Sequence, residues 1–324
     1  MSDKYPIVAV TGSSGAGTTT VQQAFKDLFR REGISAAFVE GDAFLLHERE
    51  ESNRLIRQAQ AEGKTLSLFG PELHQLERLE ALFREYAERG TGQVRHYVTE
   101  DNSHEFGGLP PGTFTPWRPV PAETDLLFYE GLHGGMVARN WTRRKLSPSH
   151  NPVVIERRNA GDGNNGVDVA QHVDLLIGVV PVVNLEWIQN IHRDTSVKGH
   201  TPEAVIDSIL RRLRDYTHYI TPQFSITDIN FQRVPVVDTS NPFIARDVPS
   251  ADESVVVIRF REPGKYYFPN ILKRIHDSYM SRPNTMVIPG GKMRLALEIT
   301  CTPLVHELLE KRNKTGVSWS PSEP

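Results

Sequence analysis

Glycine and hydroxyl residues lie close together near the start of the chain, in an arrangement that can bind a phosphate group. They follow the apolar run 7–10 and precede a helical pattern. The loop consists of Gly12, Ser13, Ser14, Gly15, Ala16, Gly17, Thr18 and Thr19. Glycines allow the backbone to turn so that successive N–H groups face an anion, and the next helix adds the positive end of its dipole. We therefore predict that this loop binds a nucleotide.

The hydroxyl pair that ends the loop refines this prediction. Thr19 stands where a P-loop has the hydroxyl that binds Mg²⁺, whereas Thr18 stands where most P-loops have lysine. An ordinary turn between a strand and a helix is the alternative, since short Gly/Ser turns also arise by chance. The order of strand, glycine loop and helix favours the nucleotide site.

Two acidic residues follow predicted strands and are candidates for proton transfer and metal binding. Asp42 follows a strand predicted over 36–40, and Glu130 lies at the end of an apolar strand predicted over 125–131. Ligands of open α/β sheets lie beyond the carboxyl ends of the strands, so both acids should face the crevice of the glycine loop. Asp42 would accept a proton from a substrate hydroxyl, and Glu130 would hold the magnesium shell. The alternative for Asp42 is a cap on the helix that begins near His47.

Basic side chains that can contact phosphates occur farther along the chain. Arg49 lies within two turns of Asp42, and Arg193 and Lys198 lie at and after the end of a helix predicted over 184–194. Lids of small-molecule kinases close over their substrates, and these two cations would close over phosphates. The basic stretch near 139–166 is interpreted as a solvated insertion, with an anion-binding lid as the alternative.

The elements that position these residues alternate along the chain as strands and helices. Further strands are predicted at 93–98, 173–180, 230–238, 253–260 and 286–288. A helix capped by Thr201 is predicted after the central strands, and helices are predicted on either side of Pro303. The pattern indicates one α/β domain over 1–312 with the insertion near 139–166, followed by a disordered tail over 313–324.

Composition argues against several classes of protein. The chain has 324 residues and a formal net charge of −3, which argues against a general nucleic-acid coat. No apolar stretch is long enough to cross a bilayer, and no signal-peptide core precedes the first strand, so we interpret the protein as cytoplasmic. Cys301 is the only cysteine, which excludes an intramolecular disulfide and predicts a buried structural thiol.

Together these motifs resemble those of the bacterial phosphoribulokinases, whose P-loop kinase family also contains uridine kinases. The resemblance extends from the N-terminus to about residue 312 and includes the glycine loop and the turn Glu40–Asp42. It also includes the strings FYEGLHG at 128–134, VVPVVNLEWIQ at 179–189, NFQRVP at 230–235 and DTSNPF at 238–243. The threonine at position 18 is similar to that of the same branch.

The resemblance implies a fold, a reaction and a set of site residues. The fold would be the three-layer P-loop kinase fold with a mixed, mostly parallel sheet. The reaction would transfer phosphate from Mg-ATP to the 1-hydroxyl of ribulose 5-phosphate, giving ribulose 1,5-bisphosphate. Asp42 would be the base and Glu130 the acid beside the metal, with Arg193 and Asp194 in the transfer site. The residues expected to bind substrate are Arg31, Arg49, Tyr97 and Lys198, the last standing where the family has arginine.

The same resemblance implies partners and regulation. The bacterial branch forms homo-octamers that NADH activates and AMP inhibits, and the resemblance places Arg31, Arg211 and Arg212 at positions tied to sugar phosphate or effectors. A homo-oligomer with these effectors is therefore expected. A membrane or nucleic-acid partner is not expected.

Two positions depart from the family pattern and leave other functions open. Leu45 replaces a histidine and Asn190 replaces a lysine, both of which serve the acceptor or the transferring phosphate in the family. A neutral amide cannot replace an ammonium group beside developing negative charge. The alternatives are a kinase for another small hydroxyl compound and a nucleotide-sensing oligomer that has lost catalysis.

Overall fold

A computed structural model describes most of the chain. The described residues are 4–13, 18–136, 167–180, 182–196, 199–244 and 247–316. The predictions for Ser14 to Gly17, for Lys198, for the insertion at 139–166 and for residues 317–324 of the tail lie outside them. Residues 313–316 of the predicted tail are described, as the end of the last helix and a turn.

Most of the strands form one mixed sheet. The described strands are β1 (Ile7–Gly12), β2 (Ala36–Glu40), β3 (Gln93–Val94), β4 (Arg118–Pro119), β5 (Leu126–Gly131), β6 (Leu175–Val180), β7 (Ile229–Pro235), β8 (Ser254–Phe260), β9 (Tyr279–Arg282) and β10 (Thr285–Pro289). Eight of them form a sheet in the order β2-β5-β1-β6-β7-β8-β10-β9, and β3 pairs with β4. The pairings from β2 to β7 are parallel, and those from β7 to β9 are antiparallel. The predicted mixed, mostly parallel sheet is confirmed.

Helices cover both faces of the sheet, which gives a fold of three layers. The described α-helices are α1 (Thr18–Arg31), α2 (Arg49–Ala61), α3 (Leu76–Arg89), α4 (Val183–Ser196), α5 (Pro202–Asp215), α6 (Phe268–Arg274) and α7 (Met293–Asn313). On one face, apolar side chains of α1 pack on β5, with the rings of Phe25 and Phe128 centred 4.9 Å apart. On the other face, Phe83 of α3 packs edge-on against Tyr129 at 5.3 Å. Helices thus pack on both faces of the sheet, and the ends of the strands are where a ligand can bind.

The C-terminal helix corrects one prediction, because α7 continues through Pro303 as a single helix. A proline inside a helix loses one hydrogen bond and destabilises it by about 3 kcal/mol or more. Here apolar side chains on both sides of the proline are buried, among them Ile299 and Val305 at 6% and 0% exposure. Their burial outweighs the lost hydrogen bond, so one helix forms where two were expected.

Two strands also differ from prediction. The strand expected at 93–98 is limited to Gln93–Val94, with an isolated bridge between Tyr97 and Phe114 farther along. The edge strand β9 was not predicted, because its residues are mostly exposed and carry no apolar alternation.

Two smaller predictions are confirmed. The Thr201 hydroxyl caps α5 by accepting a hydrogen bond of 3.3 Å from the N–H of Ala204. Cys301 is fully buried, and burial raises the pKa of its thiol to about 12. Within the described ranges, the helices are too short or too polar to cross a bilayer.

Candidate active site

The carboxyl ends of the parallel strands meet at one edge of the sheet, here called the crevice edge. Glu130 of β5 lies opposite Glu40 of β2 and opposite Val10 of β1, and Gly12 of β1 lies opposite Val179 of β6. The glycine loop after β1, the turn after β2, the end of β5 and the start of α4 therefore share this edge. It is where open α/β sheets bind ligands.

Two glycines allow the turn after β2 to rest directly on the end of β5. A Cβ on Gly41 would lie 2.8 Å from the Cα of Gly131, and a Cβ on Gly131 would lie 2.7 Å from the Cα of Gly41. Side chains at either position would force the two backbones apart. The contact places the turn that carries Asp42 against the strand end that carries Glu130.

Asp42 lies in a short 3₁₀ turn, Gly41–Phe44, at the crevice edge. Desolvation by the surrounding protein and repulsion from Glu40 raise the pKa of its carboxyl group to about 6, although the residue is exposed to solvent. A carboxylate with a pKa near neutrality is well suited to accept a proton. The helix-cap alternative is wrong, because α2 begins only at Arg49 with Glu48 at its N-cap.

Glu130 is half-buried at the end of β5 and adds a second carboxylate to the edge. After desolvation, the negative charge of Glu130 is the largest influence that raises the pKa of the Tyr129 hydroxyl, and Asp42 adds to it. Tyr129 therefore lies near both acids.

The carboxylates at this edge would supply only part of the ligand set of a metal ion. The described residues contain no group of three or more His, Cys, Asp or Glu side chains able to hold a metal. Mg²⁺ usually binds one or two carboxylates and completes its octahedral shell with phosphate and water oxygens. Glu130 fits that donor set. The backbone of Thr19 lies in the first turn of α1, and its metal-binding role stays a prediction.

A buried network joins the glycine loop to α4. The Ser13 hydroxyl donates a hydrogen bond of 2.5 Å to Oε1 of Glu186, and these residues are only 1% and 5% exposed. Desolvation raises the pKa of the Glu186 carboxyl group, while the Ser13 hydrogen bond and the charges of Arg212 and Arg193 oppose the rise. The carboxylate therefore fixes the start of the loop to the helix that carries Arg193.

The other residues predicted on α4 lie close to this network. Nε of Arg193 donates a hydrogen bond of 2.9 Å to Oδ1 of Asp194, and the charge of Asp194 also acts on Arg212. Asn190 is 3% exposed, and its Oδ1 accepts no hydrogen bond from the described residues. Arg193 and Asp194 thus lie on the same helix as Glu186, the residue that bonds to Ser13, and the charge of Arg193 acts on Glu186.

Arg49, the first residue of α2, and Tyr97 contact each other, and this pair is here called the rim of the crevice. Nε of Arg49 donates a hydrogen bond of 3.3 Å to the Tyr97 hydroxyl, and the two terminal nitrogens contact the carboxylate of Glu100 at 2.6 and 3.4 Å. Glu100 and Tyr97 both raise the pKa of the guanidinium group, with the Glu100 hydrogen bond as the larger cause. Arg49 and Tyr97, both predicted to bind substrate, are therefore hydrogen-bonded to each other.

Arg31 is the predicted site residue that the structure does not bring to the crevice. It ends α1, about 20 Å along the helix from Thr18 at 1.5 Å per residue. There its Nη1 pairs with Glu298 of α7 at 3.0 Å. Its role in binding substrate stays a prediction.

Sequence reasoning missed a glutamine that joins the ends of β1 and β5. Oε1 of Gln223 accepts hydrogen bonds of 2.9 Å from the Thr11 hydroxyl and from the N–H of Gly135, and Nε2 donates one of 2.8 Å to the carbonyl of Leu132. No motif marks this residue. Glu186 was also missed as a site residue, although its spacing from Arg193 places both on one face of a helix.

The chain is similar to known proteins over nearly its whole length. The model of the phosphoribulokinase / uridine kinase family matches residues 7–240. The phosphoribulokinase of Sinorhizobium medicae is 51% identical over 314 residues, which covers 97% of this chain and 99% of the relative. The chromosomal phosphoribulokinase of Cupriavidus necator is 50% identical over 317 residues, covering 98% and 100%.

A solved structure gives the same result at the level of the fold. The phosphoribulokinase from Rhodobacter spheroides matches with a TM-score of 0.82 at 48% identity, over 96% of this chain and 100% of that chain. Sequence and fold thus agree, and the chain belongs to the phosphoribulokinase / uridine kinase family.

Proposed function

We propose that this protein uses ATP to phosphorylate the 1-hydroxyl of ribulose 5-phosphate, giving ribulose 1,5-bisphosphate. Relatives named phosphoribulokinase, about half identical over nearly the whole chain, support this reaction. The observation that carries the proposal is the contact between the Asp42 turn and the end of β5, which unites a base and a second carboxylate beside the start of the glycine loop.

Asp42 acts as the general base in this proposal. Its carboxylate accepts the proton of the 1-hydroxyl while that oxygen bonds to the γ-phosphorus of ATP, and the bond from phosphorus to the β,γ-bridging oxygen breaks to release ADP. With a pKa raised to about 6, Asp42 is mostly ionised at pH 7 to 8 and is a stronger base than an ordinary aspartate.

The glycine loop binds the phosphates of ATP through its backbone N–H groups. Glu186 holds Ser13 and so orients the entry to the loop. Glu130 and Thr19 would hold a magnesium ion, which when bound neutralises charge on the β- and γ-phosphates. Arg193 supplies positive charge beside the transferring phosphoryl group, with Asp194 orienting its guanidinium group.

The rim binds the phosphate of the acceptor. Arg49 and Tyr97 already contact each other there, and the sugar phosphate would replace Glu100 as the anion that Arg49 binds. Lys198 and Arg31 complete the proposed set of substrate contacts.

We also propose that the protein is a cytoplasmic homo-octamer regulated by NADH and AMP, which light scattering and assays with each effector would test.

A kinase for a different small hydroxyl compound is the second candidate. Asn190 favours it, because its Oδ1 is buried without a hydrogen-bond partner among the described residues. Leu45 also favours it, because its side chain is buried and presents no polar group to an acceptor. An acceptor with a donor group that reaches Asn190 would satisfy the orphaned oxygen.

An acceptor panel separates the two candidates. We would assay the purified protein with Mg-ATP and a panel of pentose phosphates and nucleosides, and identify the product by phosphorus NMR. Ribulose 5-phosphate should give the highest kcat/KM and a 1,5-bisphosphate product. A preference of tenfold or more for another acceptor, about 1.4 kcal/mol, would establish the second candidate instead.

Two arginines of α2 provide a matched pair for the acceptor site. Arg49→Gln should raise the KM for ribulose 5-phosphate by roughly tenfold or more, since a charge-assisted contact contributes about 1.5–3 kcal/mol. Arg54 is 56% exposed and pairs with Glu51 on the same helix, so Arg54→Gln should leave KM unchanged. Equal KM values for the two variants would contradict the assignment of Arg49.

A further inference from the structure

Arg95 contacts the backbone of the turn that carries Asp42. Its Nε donates a hydrogen bond of 2.8 Å to the carbonyl oxygen of Ala43, and Nη2 donates one of 2.7 Å to that of Leu45. Both carbonyls belong to the 3₁₀ turn or to the residue that ends it. Hydrogen bonds from a charged donor are roughly twice as strong as neutral ones, so one planar group holds the turn at two points.

The turn needs this support because it has little of its own. It is only four residues long and has no side-chain cap. The N–H of Leu45 donates to the carbonyl of Asp42 at a long 3.2 Å. Gln75 adds hydrogen bonds to the carbonyls of Phe44 and Leu45 from the side of α3.

Aromatic rings fix the guanidinium group of Arg95 in place. Its central carbon lies 3.5 Å from the ring centroid of Phe114 and 4.7 Å from that of Trp117. Phe44, inside the turn, packs edge-on against Trp117 at 5.7 Å. Desolvation and the nearby charge of Arg78 lower the pKa of Arg95 to about 10, so the group stays charged at neutral pH.

The same rings extend to the rim of the crevice. Phe114 packs edge-on against Tyr97 at 5.4 Å, and the Tyr97 hydroxyl accepts the hydrogen bond from Arg49. A continuous set of contacts therefore joins the Asp42 turn to Arg49. The two ends of this set lie at the proposed base and at the proposed phosphate contact.

We propose that Arg95 is a positioning residue that fixes the Asp42 turn and, through Phe114 and Tyr97, its placement relative to Arg49. The inference rests on the proposed function, because that function makes Asp42 the base. Displacing a reacting group by about 1 Å can slow a reaction by about 10²-fold. Arg95 thus governs turnover without contacting the substrate.

This role differs from an electrostatic one. The charge of Arg95 is not among the causes that set the pKa of Asp42. Removing it should therefore lower kcat while the acid limb of the pH profile stays near pH 6. A merely structural role would reduce the melting temperature and leave kcat of the folded protein unchanged.

Arg95→Met and Arg78→Met form a matched pair for the test. The guanidinium group of Arg78 lies 5.0 Å from the same Trp117 ring, but it does not contribute to the hydrogen bonds of Ala43 and Leu45 within the described residues. In folded protein, Arg95→Met should lower kcat for ribulose 5-phosphate by about tenfold or more, with the KM for ATP unchanged. Arg78→Met should stay within about twofold of the parent. Added ethylguanidinium should restore part of the rate to Arg95→Gly.

The same assay includes the parent and Asp42→Asn, so that the two levels of the argument can fail separately. An inactive parent, or an Asp42→Asn variant as active as the parent, overturns the proposed function. An active parent, an impaired Asp42→Asn variant and equal kcat values for the Arg95 and Arg78 variants overturn only the role of Arg95. If Arg95→Met does not fold, Arg95→Lys replaces it under the same criteria, because lysine keeps the charge and cannot span both carbonyls.

Discussion

The parallel and antiparallel halves of the sheet bury different kinds of side chain. At the crevice edge of the parallel half, buried residues include Ser13, Glu186 and Asn190 at 1%, 5% and 3% exposure. In the antiparallel half, the aromatic ring of Phe260 is fully buried between Tyr266 and Phe268, with ring centroids 4.4 and 5.1 Å away. The first region buries polar side chains, and the second buries closely packed aromatic rings.

The difference shows which region destabilises the fold and which region stabilises it. At the crevice edge both ring nitrogens of the buried His133 lack a hydrogen-bond partner among the described residues, as does Oδ1 of Asn190. Each unsatisfied buried polar group destabilises a protein by about 1–3 kcal/mol. In the antiparallel half, by contrast, the buried hydroxyl of Ser254 is hydrogen-bonded and the buried ring of Phe260 packs against two other rings, so this half contributes stability.

The largest expected effect is on the free energy of unfolding, and it comes from a substitution in the antiparallel half. Phe260→Ala should lower the free energy of unfolding by about 3–5 kcal/mol, because it leaves a cavity between two rings. The kinetic constants of the folded protein should not change, since Phe260 lies away from the crevice edge. Denaturant titration and steady-state assays give both values.

The control for this variant is Tyr267→Ala. Tyr267 is 74% exposed, so its loss should change the free energy of unfolding by no more than about 0.5 kcal/mol. If Phe260→Ala is as stable as this control, the antiparallel half does not supply stability as described.

The second prediction concerns nucleotide binding at the crevice edge. Glu186→Gln removes the charge that faces Arg212 and weakens the acceptor of the Ser13 hydroxyl, so the dissociation constant for Mg-ATP should rise by about tenfold to a hundredfold, corresponding to 1.5–3 kcal/mol. Isothermal titration measures it.

Asp207→Asn is the matched control, because that carboxylate pairs with Arg211 at 3.0 Å on the surface and is 58% exposed. It should bind Mg-ATP as the parent does. Equal affinities for the two variants would remove Glu186 from the nucleotide site.

The smallest effect tests the electrostatics of the crevice edge. Asp42 must be ionised to accept a proton, so kcat/KM should fall as the pH drops below about 6, where its raised pKa lies. Glu40→Gln removes a negative charge that raises this pKa, so the acid limb should move to lower pH. Desolvation is the larger cause, which limits the shift to less than about one unit.

A pH–rate profile of Glu40→Gln measures this shift, and Glu88→Gln on the exposed side of α3 is its control. An acid limb that moves to higher pH, or moves equally in both variants, would show that Glu40 does not act on Asp42.

Much of the crevice edge could be predicted because the signals there are local. The glycines at 12, 15 and 17, Asp42 after β2 and Glu130 at the end of β5 each lie next to a strand end, and parallel strands bring their carboxyl ends together. The resemblance to phosphoribulokinases then supplied roles that spacing alone cannot give. Sequence therefore predicted the fold class and the meeting of these strand ends at one edge.

The residues that support the site could not be predicted, because their contacts are distant in sequence. Gln223 bonds to Thr11 across 212 positions, and Arg95 bonds to Ala43 across 52. No local pattern records such pairs. The prediction of two helices on either side of Pro303 was wrong for a related reason. The low helix propensity of one proline was overridden by the tertiary packing of the whole helix.

The central claim is that Asp42 accepts the proton during ATP-dependent phosphorylation of ribulose 5-phosphate. The most direct measurement is the rate of ribulose 1,5-bisphosphate formation by Asp42→Asn and by the parent at pH 8, with both substrates saturating. Because an amide cannot accept the proton, kcat should fall by about 10²- to 10⁴-fold while the dissociation constant for Mg-ATP stays within about twofold. A fall of less than about tenfold in a variant that still binds Mg-ATP would contradict the account.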